Sequence, residues 1–581
     1  MSGILPLEFK ADYFRTLYAC LTIFLWLLST GFSKEYIRNS NKKIRYYFFN
    51  SLTMIMAIGF FYSDNFLTAF LFFELMSLSS YIMVIHNENP NAMRAGESYL
   101  SYTIIGGLAI LMGIFILNNA LGTLSYNAVY EAAINLENKS ILYTGCILIF
   151  IGYGAKAGLL PLHTWLVDTY SSAPAPAGAL LSGILSKTGI FGIMAINLYI
   201  LPGDYFWTMF LLIIAASSML FGAVMGILQD NLLKTIAYSS ISQMGFIMAG
   251  TAIFSLSALD SSIIFHGTVF YMFNHSIFKV ILFLLAGTLL IINNDLHFEK
   301  IKGYGRGKKI LMFSFLMASL GISSIPLFSG FIGKTLIYKG IWDSISIFRS
   351  LQWETVIRIF NWVFMAASGL TIGYMTKIFT VLFIDRGETG MEKTNKSPYI
   401  KPISAITLLL PSILVPVLGL FPGLIFPESG INYFTRENIF SMVIPVIIGA
   451  SVFLLDRFII GRRLKNGMIS YINVFPMYLN LENLVYRPVF KYFCSFTSQI
   501  LKFFASLPDL MIDFLLKTLL CTNKKPYEPG KFLSGHYRLF FKDQGKQETE
   551  TTIIGNFSLN LLLAAAGIGL ALVFVFIMAV K

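Results

Sequence analysis

Charged residues are scarce in this sequence. They make up 13% of its 581 residues, whereas hydrophobic residues make up 56%. Soluble domains carry about 25% charged residues, so this composition excludes an ordinary soluble enzyme. It indicates instead an integral membrane protein with many crossings.

Cysteine is also nearly absent. Cys20, Cys146, Cys494 and Cys521 are scattered, with no CxxC pair and no Cys–His cluster. The sequence therefore carries no signal for disulfides, a zinc site or an iron–sulfur cluster in this chain. Glycine-rich phosphate loops, paired catalytic carboxylates and nucleophile–base sets are missing too. No run alternates polar and apolar residues, which argues against a membrane β-barrel.

Long apolar runs are abundant. Since about 20 residues cross the hydrocarbon core as a helix, these runs predict an all-α fold with about 14 transmembrane helices. The predicted runs are 13–33, 45–62, 65–86, 97–119, 141–162, 177–200, 205–228, 233–254, 262–292, 310–342, 355–385, 402–425, 438–460 and 553–580.

Basic residues are concentrated in alternate linkers. The net charge of +13 would suggest nucleic acid in a soluble protein, but here Lys and Arg cluster in 34–45, 300–309, 386–401 and 457–465. These four linkers fall on one side of the membrane if there are about 14 crossings. The positive-inside rule makes that side cytoplasmic.

The segment 461–552 interrupts the series of apolar runs. Its part 481–520 mixes apolar residues with charged ones such as Arg487, Lys502 and Asp513. This pattern favours an amphipathic helix lying along the cytoplasmic membrane face, and an ordinary linker is the alternative. A last transmembrane helix follows at 553–580.

Two apolar runs contain both a helix breaker and a lysine. Pro161 follows Lys156 in the first, and Pro326 and Gly330 precede Lys334 in the second. Proline removes a backbone donor, and such breaks persist in a membrane only where protein or water satisfies the freed groups. One broken, lysine-bearing helix in each half is typical of two inverted-topology repeats.

Several ionisable residues lie at membrane depth. An ammonium there costs about 2.5–3.5 kcal/mol on insertion scales, so it needs a partner, a hydrated cavity or a function. His275 precedes Lys279 by one helical turn on the same face. The pattern predicts a proton relay formed by Glu74, Lys156, Lys187, His275, Lys279 and Lys334. The alternatives are snorkelling lysines, a structural carboxyl and a packed histidine.

Three further residues are weaker candidates. Lys234 is either a relay member or an ordinary basic residue at a cytoplasmic helix end. His163 and Asp168 follow the break at Pro161 and form either an entrance or plain interfacial contacts.

Five motifs together resemble a known family. They are FLFFELMSLSSYIMV, GYGAKAGLLPLHTWLVDTYSSAPAPAGALLSGILSKTGIFG, LLKTIAYSSISQMGF, HSIFKVILFLLAGTLL and IPLFSGFIGKTLIYKG. Over residues 10–460 the chain resembles the antiporter-like subunits of complex I, the Mrp sodium/proton antiporters and the energy-converting membrane-bound [NiFe] hydrogenases. The SAPAPAGALLSGILSKTGIFG stretch is most similar to the hydrogenase branch, of the Ech or formate-hydrogenlyase type.

The resemblance implies roles for the buried charges. It places an acid–lysine pair at Glu74 and Lys156, a relay lysine at Lys187, a central element at His275 with Lys279, and a terminal lysine at Lys334. It also implies that two helices usual in the family are missing before residue 13. The implied segments are 1–44 (N-terminal helix), 45–200 (first repeat, broken near 161), 205–385 (second, inverted repeat, broken near 326–333), 386–460 (two additional helices), 461–552 (lateral helix and linker) and 553–581 (last transmembrane helix).

The implied function is proton or sodium translocation in a redox-driven complex of a prokaryotic plasma membrane. The chain is expected to hold no cofactor. Iron–sulfur clusters, and a NiFe centre in the hydrogenase case, would belong to a peripheral redox module beside further membrane subunits and lipids. Nucleic acid is not an expected partner. The alternatives are an Mrp-type antiporter subunit without a redox partner, a structural anchor and a partner in bicarbonate uptake.

Overall fold

A computed structural model describes residues 7–136, 138–256, 261–386, 400–426 and 433–460, with a few residues between 462 and 488. The chain divides into two compact units, Met1–Phe475 and Pro476–Lys581. All helices considered below belong to the first unit. The predicted lateral helix and last transmembrane helix lie outside the described residues.

The described part is built from helices. The first half contains α1 (Tyr13–Tyr36), α2 (Lys43–Tyr62), α3 (Phe66–Val84), α4 (Pro90–Leu121), α5 (Tyr126–Asn135), α6 (Lys139–Ala157), α7 (Thr164–Ser172), α8 (Ala175–Leu180) and α9 (Ser186–Ala195). The second half contains α10 (Tyr205–Leu228), α11 (Leu232–Ile253), α12 (Ser261–Asn293), α13 (Phe298–Ile301), α14 (Lys309–Ile322), α15 (Ser329–Ser350), α16 (Glu354–Phe379), α17 (Pro402–Leu420), α18 (Arg436–Phe440) and α19 (Val443–Leu455).

Short irregular helices and one small ribbon complete these elements. π-Helical turns are Leu181–Leu185, Ile196–Ile200, Thr380–Ile384 and Asp456–Ile460, and 3₁₀ turns are Ile85–Asn87 and Pro422–Leu424. The first π turn joins α8 to α9 without a loop. Strands β1 (Arg462–Arg463) and β2 (Ile469–Ser470) pair in antiparallel fashion.

The all-α membrane fold is confirmed. In the described ranges, 11 helices are long and apolar enough to cross a membrane. Every predicted run from 13 to 460 contains a helix, but α11, α14 and α15 are not among those 11. α14 is short, and α11 carries a serine- and glutamine-rich stretch. Because α11 is buried on almost every side, its polar side chains face protein rather than lipid.

Both predicted helix breaks are present. α6 ends at Ala157, where Gly158 adopts a left-handed conformation (φ 72°), and Pro161 lies between α6 and α7. Pro326 lies between α14 and α15, next to Leu327 with φ 75°. One break lies in each half of the described chain. The inverted relation of the two repeats stays a prediction.

Gly330 was expected to be part of the second break, and this expectation is wrong. It lies in the first turn of α15. A Cβ atom there would come within 1.9 Å of the carbonyl oxygen of Gly321. The absence of a side chain therefore allows the start of α15 to approach the end of α14, which is a packing role rather than a breaking one.

Helices α4 and α6 pack through glycines. A Cβ on Gly152 would lie 2.3 Å from the carbonyl oxygen of Gly106, and one on Gly113 would lie 2.7 Å from that of Gly145. Small residues at such positions let membrane helices approach closely. We call these four residues the glycine seam. It brings the side chains of α4 within reach of Lys156 on α6.

Replacing Gly152 with Leu should destabilise the protein. The larger side chain must push α4 away, and overpacking of this kind costs about 1–3 kcal/mol. The measurement is thermal unfolding of the purified protein in detergent. Gly154→Ala is the control, because a Cβ at Gly154 would meet its nearest neighbour, the Phe150 ring, at an ordinary 3.4 Å. Equal unfolding temperatures for the two variants would contradict the close contact at the seam.

Candidate functional site

Lys156 lies in the last turn of α6 and is only 6% exposed. Its amine donates to the hydroxyl of Ser77 on α3 at 2.9 Å and to that of Tyr99 on α4 at 2.6 Å. The amine also lies 4.9 Å from the centroid of the Tyr99 ring. Hydroxyl dipoles and an aromatic face thus replace the water that this cation would otherwise bind.

Glu74 lies one turn before Ser77 on α3. Its carboxyl group packs against α4, since a Cβ on Gly107 would lie 2.0 Å from its Oε1 atom. A charge interaction couples Glu74 to Lys156. Among the described residues, however, Oε1 has no hydrogen-bond partner, and the ion pairs within 4.0 Å do not include this one. The expected acid–lysine pair therefore interacts through its charges without a direct ion pair, and its functional role stays a prediction.

Lys156 is one of the residues that line a small cavity of about 10 Å³. Tyr99, Tyr102 and Thr103 of α4 are among the residues that line it. The hydroxyl groups of Tyr102 and Thr164 bond to each other at 2.7 Å, which joins α4 to α7 just beyond the helix break. A cavity of this size has room for about one water molecule between polar groups.

Lys187 follows the π-helical turn Leu181–Leu185 and is fully buried. Its amine donates to the backbone oxygen of Ser182 at 2.5 Å and to the hydroxyl of Ser186 at 3.3 Å. π Turns shift the helical hydrogen-bond pattern and occur often at functional sites. Here the Ser182 oxygen accepts bonds from two side chains of its own helix.

A chain of polar contacts connects this site to Lys279 on α12. The hydroxyl groups of Ser182 and Ser240 bond at 2.9 Å, and Ser240 donates to the backbone oxygen of Ile236 at 3.1 Å. The Lys279 amine donates to the same oxygen at 2.8 Å and to the hydroxyl of Ser239 at 2.5 Å. Two buried amines on different helices are thus linked through α11.

His275 lies one turn before Lys279 and is fully buried. Neither ring nitrogen has a hydrogen-bond partner in the described part of the chain. Charge interactions couple the ring to Lys187, Lys279 and Lys334. The His275 ring therefore lies within electrostatic reach of all three lysines.

Lys334 on α15 is held differently from the other lysines. Its buried amine has no hydrogen-bond partner among the described residues, and it lies 3.9 Å from the centroid of the Phe246 ring. Buried polar groups without a protein partner bind ordered water or remain uncharged. The amine and the His275 ring thus mark a part of the interior suited to water.

Gln243 organises a further polar cluster in the second half. Its amide nitrogen donates to Thr371 at 3.2 Å and to Tyr374 at 3.4 Å, and its amide oxygen accepts a bond from Tyr271. The hydroxyl of Tyr374 also approaches Ser239, which bonds to Lys279. We call Gln243, Thr371, Tyr374 and Tyr271 the glutamine cluster.

The predicted lysines do not snorkel. Lys156, Lys187 and Lys279 direct their amines to acceptors inside the bundle, and the Lys334 amine is buried. The sequence prediction missed the serines and Gln243 of α11, although the polar run SSISQ within an otherwise apolar helix is the signal that reveals them.

Three candidates stand apart from this chain of contacts. Lys234 is half-buried in the first turn of α11, and Asp168 is half-buried within α7. His163 is buried where α7 begins, with its ring edge-on to Phe221 at 4.8 Å. None of the contacts described for these three side chains reaches the buried lysines.

Metal-ligating clusters are not found in the described ranges. No group of three or more His, Cys, Asp or Glu side chains there could hold a metal ion. The polar chemistry of the described site therefore consists of amines, hydroxyls, amides, one imidazole and one carboxyl.

The sequence is similar to subunits of several known membrane complexes. Hydrogenase-4 component B of Escherichia coli (strain K12) is 27% identical over 344 residues, which cover 58% of this chain and 51% of that relative. NADH-quinone oxidoreductase subunit M of Rickettsia bellii is 30% identical over 421 residues, 71% of this chain and 78% of the relative. A Na⁺/H⁺ antiporter subunit of Alkalihalophilus pseudofirmus is 26% identical over 407 residues, 69% of this chain and 79% of the relative.

The fold is shared with a solved structure. The Mrp complex from Dietzia sp. DQ12-45-1b contains a chain that matches with a TM-score of 0.61 and 20% identity, covering 77% of this chain and 84% of that one. The family model described as "NADH:quinone oxidoreductase/Mrp antiporter, TM" matches residues 63–358. This confirms the resemblance seen in the motifs: the chain belongs to the NADH:quinone oxidoreductase/Mrp antiporter family of membrane subunits.

Proposed function

We propose that this chain translocates protons, or sodium ions, as the membrane subunit of a redox-driven complex. The observation that carries the proposal is the line of contacts from Lys187 through Ser182, Ser240 and Ile236 to Lys279. The carbonyl oxygens in this line only accept hydrogen bonds and solvate the two ammonium groups. A proton would therefore pass between the amines through the hydroxyl groups and water. A merely structural anchor has no need of these amines.

The buried charges would act through their electrostatic interactions with one another. In a medium of low dielectric constant, adding or removing one proton changes the energy of every nearby charge. His275 interacts with three lysines, and Glu74 interacts with Lys156. A charge displaced at one end of this series of buried groups would therefore favour proton transfer at the next group.

The driving reaction would take place in other subunits. The relatives include a hydrogenase component and an NADH-quinone oxidoreductase subunit, which supports a peripheral redox module carrying iron–sulfur clusters, with a NiFe centre in the hydrogenase case. The alternative is an Mrp-type antiporter subunit without a redox partner, which the antiporter relatives and the Mrp structure favour. In either case the chain would sit in a prokaryotic plasma membrane with its basic linkers in the cytoplasm.

Replacing Lys279 with Met should abolish ion translocation but leave the complex assembled. Methionine fills a similar volume but cannot carry a proton. The measurement is proton movement into vesicles that contain the purified complex, followed with a pH-sensitive dye. Lys339→Met is the matched control, because Lys339 is exposed on α15. Unchanged translocation by the Lys279 variant would contradict the proposal.

Replacing Ser240 with Ala should slow translocation about tenfold, which corresponds to about 1.4 kcal/mol in the barrier. The change removes one hydroxyl from the line between the two lysines. Ser242→Ala is the control on the same helix, because Ser242 bonds to the backbone of Met219 and not to this line. Equal rates for the two variants would show that ions do not pass the Ser240 hydroxyl.

The redox and antiporter alternatives can be separated by what assembles with the chain. We expect mass spectrometry of the native complex to find iron–sulfur subunits, and metal analysis to find iron. A complex that contains only further membrane subunits, and no iron, would favour the antiporter alternative.

A further inference from the structure

A second group of buried charges lies outside the contacts that join Lys187 to Lys279. Lys377 on α16 forms an ion pair with Asp456 at 3.0 Å, and their side chains are only 3% and 5% exposed. The Lys377 amine also donates to the backbone oxygen of Ile227 at 2.7 Å. That oxygen belongs to the last turn of α10, where a cation is favoured by the helix dipole.

The pair lies at the end of the bundle that carries the basic linkers. An isolated bridge joins Asn231, in the turn after α10, to His297, which precedes the basic segment 300–309. Lys377 also interacts with the charge of Asp230, a half-buried residue in the same turn. Asp230, which is partly accessible from this surface, is therefore electrostatically linked to the buried pair.

The pair also lies close to the glutamine cluster. Lys377 follows Tyr374 by three residues on α16, so the two side chains share a helical face. A Cβ atom at Gly226 would lie 3.5 Å from the Tyr374 ring, so α10 packs against this ring. The next residue, Ile227, supplies the backbone oxygen that binds the Lys377 amine. The pair therefore separates the basic surface from the polar groups that lead to Lys279.

The geometry of the pair is not that of an optimised structural clamp. Asp456 Oδ2 is buried and has no hydrogen-bond partner among the described residues. Asp456 also begins the π-helical turn that ends α19. Desolvation of two charges costs several kcal/mol per ion, and apolar pairs of similar volume often stabilise a protein as well or better. Retention of an incompletely bonded pair suggests a role beyond stability.

We propose that Lys377 and Asp456 form a proton-relay pair between the basic surface and the glutamine cluster. The Lys377 ammonium gives one proton towards Tyr374, and the Asp456 carboxylate takes up one proton from the basic surface. Transfer of that proton from the Asp456 carboxyl to the neutral amine restores the ion pair, so one proton has moved inward. This role rests on the proposed function, because it supplies the same line of lysines.

The variant Lys377→Arg tests the relay against a structural clamp. Arginine keeps the positive charge and can bond to Asp456, but it does not give up its proton. A relay predicts an assembled complex whose translocation falls at least about tenfold, whereas a clamp predicts full activity. Assembly is measured by native gel electrophoresis and translocation by dye response in vesicles. Full translocation by this variant would overturn the proposal.

A double variant covers the case in which arginine does not fit. Lys377→Met with Asp456→Leu replaces the pair with apolar side chains, which a clamp tolerates. We expect assembly without translocation. An assembled and active double variant, or failure of both variants to assemble, would assign the pair to folding and reject the relay.

Two controls distinguish a failure of the relay pair from a failure of the proposed function. Glu354→Gln removes an exposed ion pair with Arg349 and Arg358 at the opposite end of α16, and it should change neither readout. Lys279→Met tests the main line of lysines in the same assay. If only the Lys377 variants remain active, the relay pair alone is rejected. If the Lys279 variant also remains active, the proposed function itself fails.

Discussion

A cation in the interior of a membrane protein is stable only where fixed dipoles take the place of water. Lys156, Lys187 and Lys279 meet this constraint in one way: each amine donates to hydroxyl or carbonyl oxygens. For Lys156 and Lys279 these oxygens belong to neighbouring helices, and for Lys187 they belong to its own helix. Neutral acceptors solvate a charge without neutralising it permanently. An amine held by them remains free to respond when a neighbouring charge changes, which a direct carboxylate contact would hinder.

The helix packing follows from this need. The glycine seam lets α4 approach α6 closely enough for Tyr99 to reach Lys156. The π turn before Lys187 leaves a backbone oxygen that its amine can use. α11 is too polar to face lipid, and it lies inside the bundle, where it supplies oxygens to the amines. The glycine seam, the π turn and the polar helix α11 thus all help to bring oxygen atoms to the buried amines.

The buried charged groups differ in how they are held. The central lysines have neutral oxygen partners, whereas Lys377 at the basic end has a carboxylate partner in Asp456. A direct ion pair keeps both charges in place until a proton arrives, which suits a position close to the surface. The hydroxyl-bound amines lie deeper in the bundle and have no carboxylate partner among the described contacts.

The membrane class, the helical runs, the breaks at Pro161 and Pro326 and the family could all be predicted from the sequence, because hydrophobicity, proline chemistry and motif spacing are local properties. The buried lysines could be located in the same way, since a charge inside an apolar run is visible without a fold. Their partners could not be predicted. Lys156 bonds to Ser77 and Tyr99 rather than directly to Glu74, and Lys377 meets Asp456 at a separation of 79 residues. Such pairings depend on how helices pack and rotate against one another, and no periodicity within a single helix encodes that arrangement.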